Sequence, residues 1–140
     1  MKKYEFTDET VECEGVVLHR IVALRGFGDV EKGDLGGFVE SEANLSHEGS
    51  CWVYDNARVY GNARVYGNAQ VFGGARVFDD ARIYGNAQVF DDAWVFGDAL
   101  VSGNAQVSDD AQVFGDALVY GNAWVFGDAL VCSGEHDKGE

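Results

Sequence analysis

The chain has no proline, one methionine, three cysteines, and ten basic residues against twenty-four acidic ones in 140 residues. Each scarcity excludes something. Cys13, Cys51 and Cys132 are odd in number and lack metal-ligand spacing, so neither a disulfide framework nor a zinc site is indicated, and a reducing compartment fits. No apolar run approaches the ~20 residues of a membrane-spanning helix. The opening "MKKYEFTDETVECEG" has early lysines but no apolar stretch after them, so a soluble cytoplasmic protein is expected. A formal charge of −14 opposes electrostatic binding to nucleic acid or anionic lipid, and directs attention to basic protein partners. Without proline, no backbone donor is missing from a ladder of strands. The 46% apolar content is that of one folded domain.

The chain is rich in a single phrase. "VYGNARVYGNAQ", from Val59 to Gln70, is two copies of a hexad that runs without slippage from Val53 to Val131. An aliphatic residue recurs every six positions, and alanine (Cys51 in the first case) stands two residues before it. Apolar residues at i and i+2 have the period of a strand, so each hexad reads as a short strand and a turn. The residue between alanine and valine is often arginine (Arg58, Arg64, Arg76, Arg82) or glutamine, and burying an unpaired arginine is prohibitive. Alanine and valine therefore face inward, while the Arg/Gln position and the aromatic after valine face outward. The next pair is GN, GD, DD, DN or GG, residues that tolerate the left-handed backbone of a tight turn.

A second period is superimposed on the first: GN recurs at 67/68, 85/86, 103/104 and 121/122, eighteen residues apart. Three hexads then make one coil of an all-β, three-sided parallel β-helix, with equivalent residues stacked at about 4.8 Å. About five coils are expected. Leu35, Val39 and Leu45 extend the inward register upstream, interrupted by Ser41 and His47, so the expected division is a β cap over 1–34, a solenoid over 35–132 and a flexible polar tail over 133–140. In the cap, "TVECEGVVLHRIVAL" reads as two strands about a Glu14–Gly15 turn. The cap covers the first coil, and the C-terminal edge is expected to need a partner chain.

Val59 followed by Ala63 resembles the hexapeptide-repeat family of left-handed β-helices, in which an aliphatic residue is followed four places later by a small one. That resemblance implies left-handed winding. The stretch "FGDVEKGDLGGFVESEANLSHEGSCWVYDNARV", Phe27 to Val59, resembles the N-terminal block of hexapeptide-repeat proteins of bacterial genomes and prophages, mostly of undefined function. Many members of the wider superfamily are trimeric acyl- or nucleotidyltransferases, and others are structural or binding proteins.

An acyltransferase needs a general base, and the histidines are His19, His47 and His136. His19 falls in a strand and His136 in the tail, which leaves His47 beside Glu48, where the repeat is irregular. No loop is extruded between 53 and 131, and "GFGDVEKGDLGG" carries neither GxxxxGK[ST] nor GxGxxG. No catalytic, metal or cofactor residue is therefore assigned; divalent cations on the aspartates and acyl transfer stay open as alternatives.

The outward positions carry the binding candidates. Asn68, Asn86, Asn104 and Asn122 form one expected ladder, a structural one. The other corners carry Asp92, Asp110 and Asp128, and Asp80, Asp98 and Asp116, reinforced by Asp79, Asp91 and Asp109. Rows of carboxylates repel one another, which invites a function: a negative surface imitating a nucleic acid, of the kind expected of a phage or prophage inhibitor of a host nucleic-acid-binding or CRISPR-type immune protein. Aromatics at Tyr54, Phe72, Phe90 and Phe126 are expected to stack along one edge. The strand-centre position turns apolar toward the C-terminus, at Trp94, Leu100, Leu118, Trp124 and Leu130, which marks these residues for self-association, a homodimer being preferred. A purely structural self-assembling solenoid is the remaining reading.

Overall fold

The hexad folds as its letters require. A computed structural model describes residues 2–137. Three longer strands come first: β1 (Tyr4–Cys13), β2 (Val16–Ala23) and β3 (Leu35–Val39). Fourteen two-residue strands follow: β4 (Trp52–Val53), β5 (Arg58–Val59), β6 (Arg64–Val65), β7 (Gln70–Val71), β8 (Arg76–Val77), β9 (Arg82–Ile83), β10 (Gln88–Val89), β11 (Trp94–Val95), β12 (Leu100–Val101), β13 (Gln106–Val107), β14 (Gln112–Val113), β15 (Leu118–Val119), β16 (Trp124–Val125) and β17 (Leu130–Val131). The last strand is β18 (Glu135–His136). Among the described residues the helical content is one 3-10 turn, Glu42–Asn44, and no helix is long and apolar enough to cross a membrane.

The strands form three sheets. Face I has the order β1-β2-β3-β5-β8-β11-β14-β17, face II β6-β9-β12-β15-β18, and face III β4-β7-β10-β13-β16. From β3 onward each pairing within a face is parallel and joins residues one coil apart, such as Val77 with Val95. One coil hangs from the next through main-chain bonds, such as Arg58 N–H to Ala75 O at 2.9 Å and Arg76 N–H to Ala93 O at 3.0 Å. The axis is filled by the inward letters: every aliphatic residue from Val53 to Val125 is at most 1% exposed, and so is every alanine from Ala57 to Ala123. At roughly 1.5–3 kcal/mol per fully buried valine or isoleucine, this thin core is where the gross stabilisation comes from.

The solenoid has about six turns, counted from β3 on face I, rather than five. The extra turn is the first, and its register corrects the sequence reading. Val39 pairs with Val59 and Leu45 with Val65, so both hold the valine place, not the alanine place. Leu35, expected inside, is 58% exposed and pairs with Val22 of the cap. Ser46 N–H bonds Val65 O, yet Cys51 N–H already bonds Gly67 O. Two residues more than a hexad allows therefore lie between Leu45 and Val53, and they are accommodated around His47 and Glu48. Asn44 turns inward at the 3-10 turn, and its amide donates to Gly61 O at 3.2 Å and Ala63 O at 2.9 Å.

β1 and β2 form an antiparallel hairpin about Glu14 (φ 53°) and Gly15 (φ 82°), and β2 pairs antiparallel with β3. The cap thus prolongs face I above the first coil and occupies that edge. Its first residues are locked into the irregular coil. The Lys3 ammonium is fully buried, donating to Cys51 O at 2.6 Å and Gly49 O at 3.4 Å, with Cys51 Sγ at 3.3 Å and the Phe27 ring 4.7 Å away. The Tyr4 hydroxyl donates to Leu45 O at 2.6 Å, and burial holds its proton well above the ordinary tyrosine range. At the other end, residues 135–136 of the stretch expected as a polar tail pair with β15; 138–140 lie outside the described residues.

The outward aromatics stack in columns, but two serines interrupt them. Tyr60, Phe78, Phe96 and Phe114 run unbroken with centroids 4.9–5.1 Å apart. On the corner between faces III and I, Tyr54 meets Phe72 edge-on and Phe72 stacks on Phe90 at 4.9 Å, but Ser108 stands next. Phe126 therefore does not join the expected stack; it leans on Trp124 at 5.3 Å and is 42% exposed. On the corner between faces II and III, Tyr66 stacks on Tyr84 at 5.0 Å, and Ser102 separates Tyr84 from Tyr120.

Candidate functional site: the outward faces of the solenoid

The aspartates divide into two kinds. At the first turn position, glycine alternates with Asp55, Asp79, Asp91 and Asp109, whose φ angles of 57–60° lie in the left-handed region. Aspartate tolerates that backbone better than most side chains. Each of these carboxylates accepts a main-chain bond from the next coil: Asp55 from Gly73 N–H (3.1 Å), Asp79 from Gly97 (3.2 Å), Asp91 from Asp109 (3.3 Å) and Asp109 from Gly127 (2.9 Å). Asp79, Asp91 and Asp109 therefore tie coil to coil. Asp109→Ala is expected to cost about 1 kcal/mol, because alanine keeps the strained backbone and loses the bond. Asp109→Gly is expected to stay within a few tenths of wild type; denaturant midpoints distinguish the two.

Asp80, Asp98 and Asp116 on one corner, and Asp92, Asp110 and Asp128 on another, occupy the second turn position and are exposed. Asp80 accepts from Asn62 Nδ2 at 3.1 Å. Among the described residues no three metal-ligating side chains converge. Neighbours about 4.8 Å apart repel by under ~1 kcal/mol per pair in water. The remaining corner is the expected amide ladder: Asn68 donates to Asn86 at 3.4 Å and Asn86 to Asn104 at 3.3 Å, with Ser50 Oγ bonded to Asn68 at 2.9 Å.

The five apolar residues assigned to self-association do not make one patch. Trp94 and Leu130 lie on face I with Gln112 between them, Leu100 and Leu118 are neighbours on face II, and Trp124 ends face III. Trp94 is packed against Phe78 and Phe96, with the Arg76 guanidinium over its ring at 5.5 Å. Trp124 (50%), Phe126 (42%) and Leu130 (66%) are the large exposed side chains of the last coil. Leu100 and Leu118 floor a shallow groove walled by Tyr84 and Tyr120, which opens where Ser102 breaks the aromatic column. Above them on the same face stand Arg64 and Arg82, outward by the hexad pattern but not among the expected site residues: exposed, in adjacent coils and without an ion-pair partner among the described residues.

His47, at the irregular coil, is committed to structure. Its Nδ1 accepts the Lys3 N–H at 3.0 Å, so Nε2 carries the proton and donates to Glu42 Oε1 at 2.8 Å. The ring stacks on Tyr4 with centroids 4.2 Å apart, and the hydrogen bond from His47 holds the Glu42 carboxyl below its ordinary pKa. No lone pair is left for a general base. His19 stacks on Phe6 at 4.7 Å, and His136 Nε2 lies 3.0 Å from Ser133 O.

The repeat that builds these faces has known counterparts. Residues 52–67, 57–73, 75–91, 81–95 and 111–127 match the repeat family described as "YdcK Beta solenoid repeat". The chain is a β-solenoid of six-residue repeats, similar to that family over the matched segments. This solenoid is also similar to the "Uncharacterized acetyltransferase YdcK" of Escherichia coli (strain K12), at 36% identity over a match covering 39% of the chain and 19% of that protein. It therefore spans about a fifth of the length of the curated relative it matches. The matched family segments fall within the hexad-bearing coils, not in the cap or in the irregular first coil.

Proposed function

We propose that the chain is a non-enzymatic binding solenoid that self-associates through the outward side chains of its C-terminal half. The observation that carries this reading is the change of the strand-centre letters from arginine to exposed or half-buried leucine and tryptophan after residue 90, on a scaffold whose inward letters do not change. Large exposed apolar side chains mark interaction surfaces. In the same reading the acidic coils suit a basic protein partner. The narrower version, an inhibitor imitating a nucleic acid, rests on the exposed aspartates of both turn positions, of which Asp79, Asp91 and Asp109 also bond the next coil.

Acyl transfer is the second reading, and what favours it is the printed name of the Escherichia coli relative. What weighs against it here is that both nitrogens of His47 are engaged. Titrating acetyl-CoA into the full chain by calorimetry, with a turnover assay beside it, separates the two. The binding reading predicts neither saturable heat nor turnover. Saturable binding with turnover establishes the second reading instead.

A further inference from the structure

Face II has an order of side chains along the axis that the other faces lack. Its strand centres read Arg64, Arg82, Leu100, Leu118 and Glu135, one per coil. The upper two are exposed cations stacked one coil apart without an anionic partner among the described residues, an arrangement that repels itself. The middle two floor the groove opened by Ser102. The lowest is an exposed carboxylate that accepts the Tyr120 hydroxyl at 3.0 Å. Set against its own reverse, this order brings Arg64 to Glu135 and Leu100 to Leu100, with Arg82 beside Leu118.

We infer that face II is the surface on which a second copy of this chain docks, antiparallel, about a two-fold axis crossing the face at Leu100. This rests on the self-association reading and specifies its surface. A two-fold interface must be self-complementary, residue i meeting j and j meeting i. With the axis at Leu100, Leu100 meets its own copy and Arg82 lies at the level of Leu118 of the second copy. Asp116 stands at the corner of that same coil, two residues before Leu118. Arg64 lies at the level of Glu135 of the second copy. A parallel pairing sets Arg64 on Arg64 and Arg82 on Arg82, so the strand-centre charges select the antiparallel arrangement, against the repulsion of the corner aspartates. The serine at 102 matters because an aromatic there would close the groove that receives the second Leu100.

Faces I and III carry no such order. The cap hairpin lies over the upper part of face I, where Tyr60 is buried and Arg76 Nη1 reaches Cys13 Sγ. Face III reads Trp52, Gln70, Gln88, Gln106, Trp124, with no charge to direct a partner. Five levels at about 4.8 Å make face II only about 24 Å tall, small beside a standard interface, so the dimer forms in the micromolar range and weakens with salt. Asp98 faces its own copy at the rim of the axis, and Asp98→Asn tightens the pair.

The test is sedimentation of the full chain from about 10 to 500 µM at low and high salt. The variants are Arg64→Glu with Arg82→Glu, Arg64→Glu alone, Glu135→Arg alone, and Arg64→Glu combined with Glu135→Arg; circular dichroism verifies the fold of each. Wild type is expected to dimerise with concentration. The double arginine variant and Glu135→Arg are each expected to weaken the dimer about tenfold or more, and the exchanged pair to recover most of that loss. A wild-type dimer indifferent to these changes, or an exchanged pair no better than its single variants, overturns the face II assignment while self-association stands. A wild-type chain that stays monomeric throughout overturns both.

Discussion

Gly103→Val is expected to leave the chain largely unfolded, while Gly103→Asp melts close to wild type. Gly103 has φ +64°, and a Cβ there would sit 2.8 Å from Gly121 N and 3.1 Å from Gly121 O. Those atoms are backbone, held by the bond from Asn104 N–H to Gly121 O at 2.8 Å, so any Cβ there must press the two coils slightly apart, a cost offset only by a side chain that bonds the next coil as Asp109 does. Left-handed backbone costs an ordinary residue ~1–2 kcal/mol and a β-branched one more. With the clash added, valine is expected to cost about 4 kcal/mol or more, most of the stability of a small domain. Aspartate meets the same contact, but its carboxylate can accept the Gly121 N–H as Asp109 accepts that of Gly127 at 2.9 Å. The predicted order of denaturant midpoints is Gly, Asp, Ala, Val. Alanine equal to aspartate contradicts the role given to the turn carboxylates.

The second large effect is at the other end of the chain. Lys3→Met is expected to cost about 2–4 kcal/mol, since it leaves Cys51 O and Gly49 O without their donor inside the cap. The effect depends on pH. Burial lowers the Lys3 pKa from its ordinary 10.5. In the interval below 10.5 the unfolded chain binds the proton that the folded chain has lost, so stability rises with pH there. The contribution is complete above 10.5 and is lost as pH falls through the folded value. The advantage of wild type over Lys3→Met is therefore expected to be larger in alkaline solution than at neutrality, by urea midpoints in parallel buffers; an equal advantage at both contradicts the buried ammonium. Burial also raises the Cys51 thiol, whose contribution runs the opposite way at alkaline pH, so the comparison is made in a Cys51→Ser background as well.

Much of this architecture is legible in the hexad itself. Val and Ala at i and i+2, arginine between them and a turn pair after them leave one arrangement that buries no cation, and the eighteen-residue recurrence of GN gives the coil. The same recurrence already separates Trp94 and Leu130 from Leu100 and Leu118, and both pairs from Trp124; pooling them by apolar character hid the three faces. The alternation of aspartate with glycine at the first turn position likewise carries the left-handed backbone that assigns Asp79, Asp91 and Asp109 to structure. The first coil was not legible. Two additional residues around His47 and Glu48 shift its register, and the partners of Lys3, Tyr4 and His47 lie some forty residues away in sequence, where no local pattern reaches.

Inward letters fix the scaffold, and outward letters decide what it meets. The most direct test of that division is the mass of the unmodified chain in solution at rising concentration. The account predicts a mass climbing from the 15.2 kDa of one chain toward twice that value, at low salt before high. A mass of 15.2 kDa at every concentration and salt contradicts it.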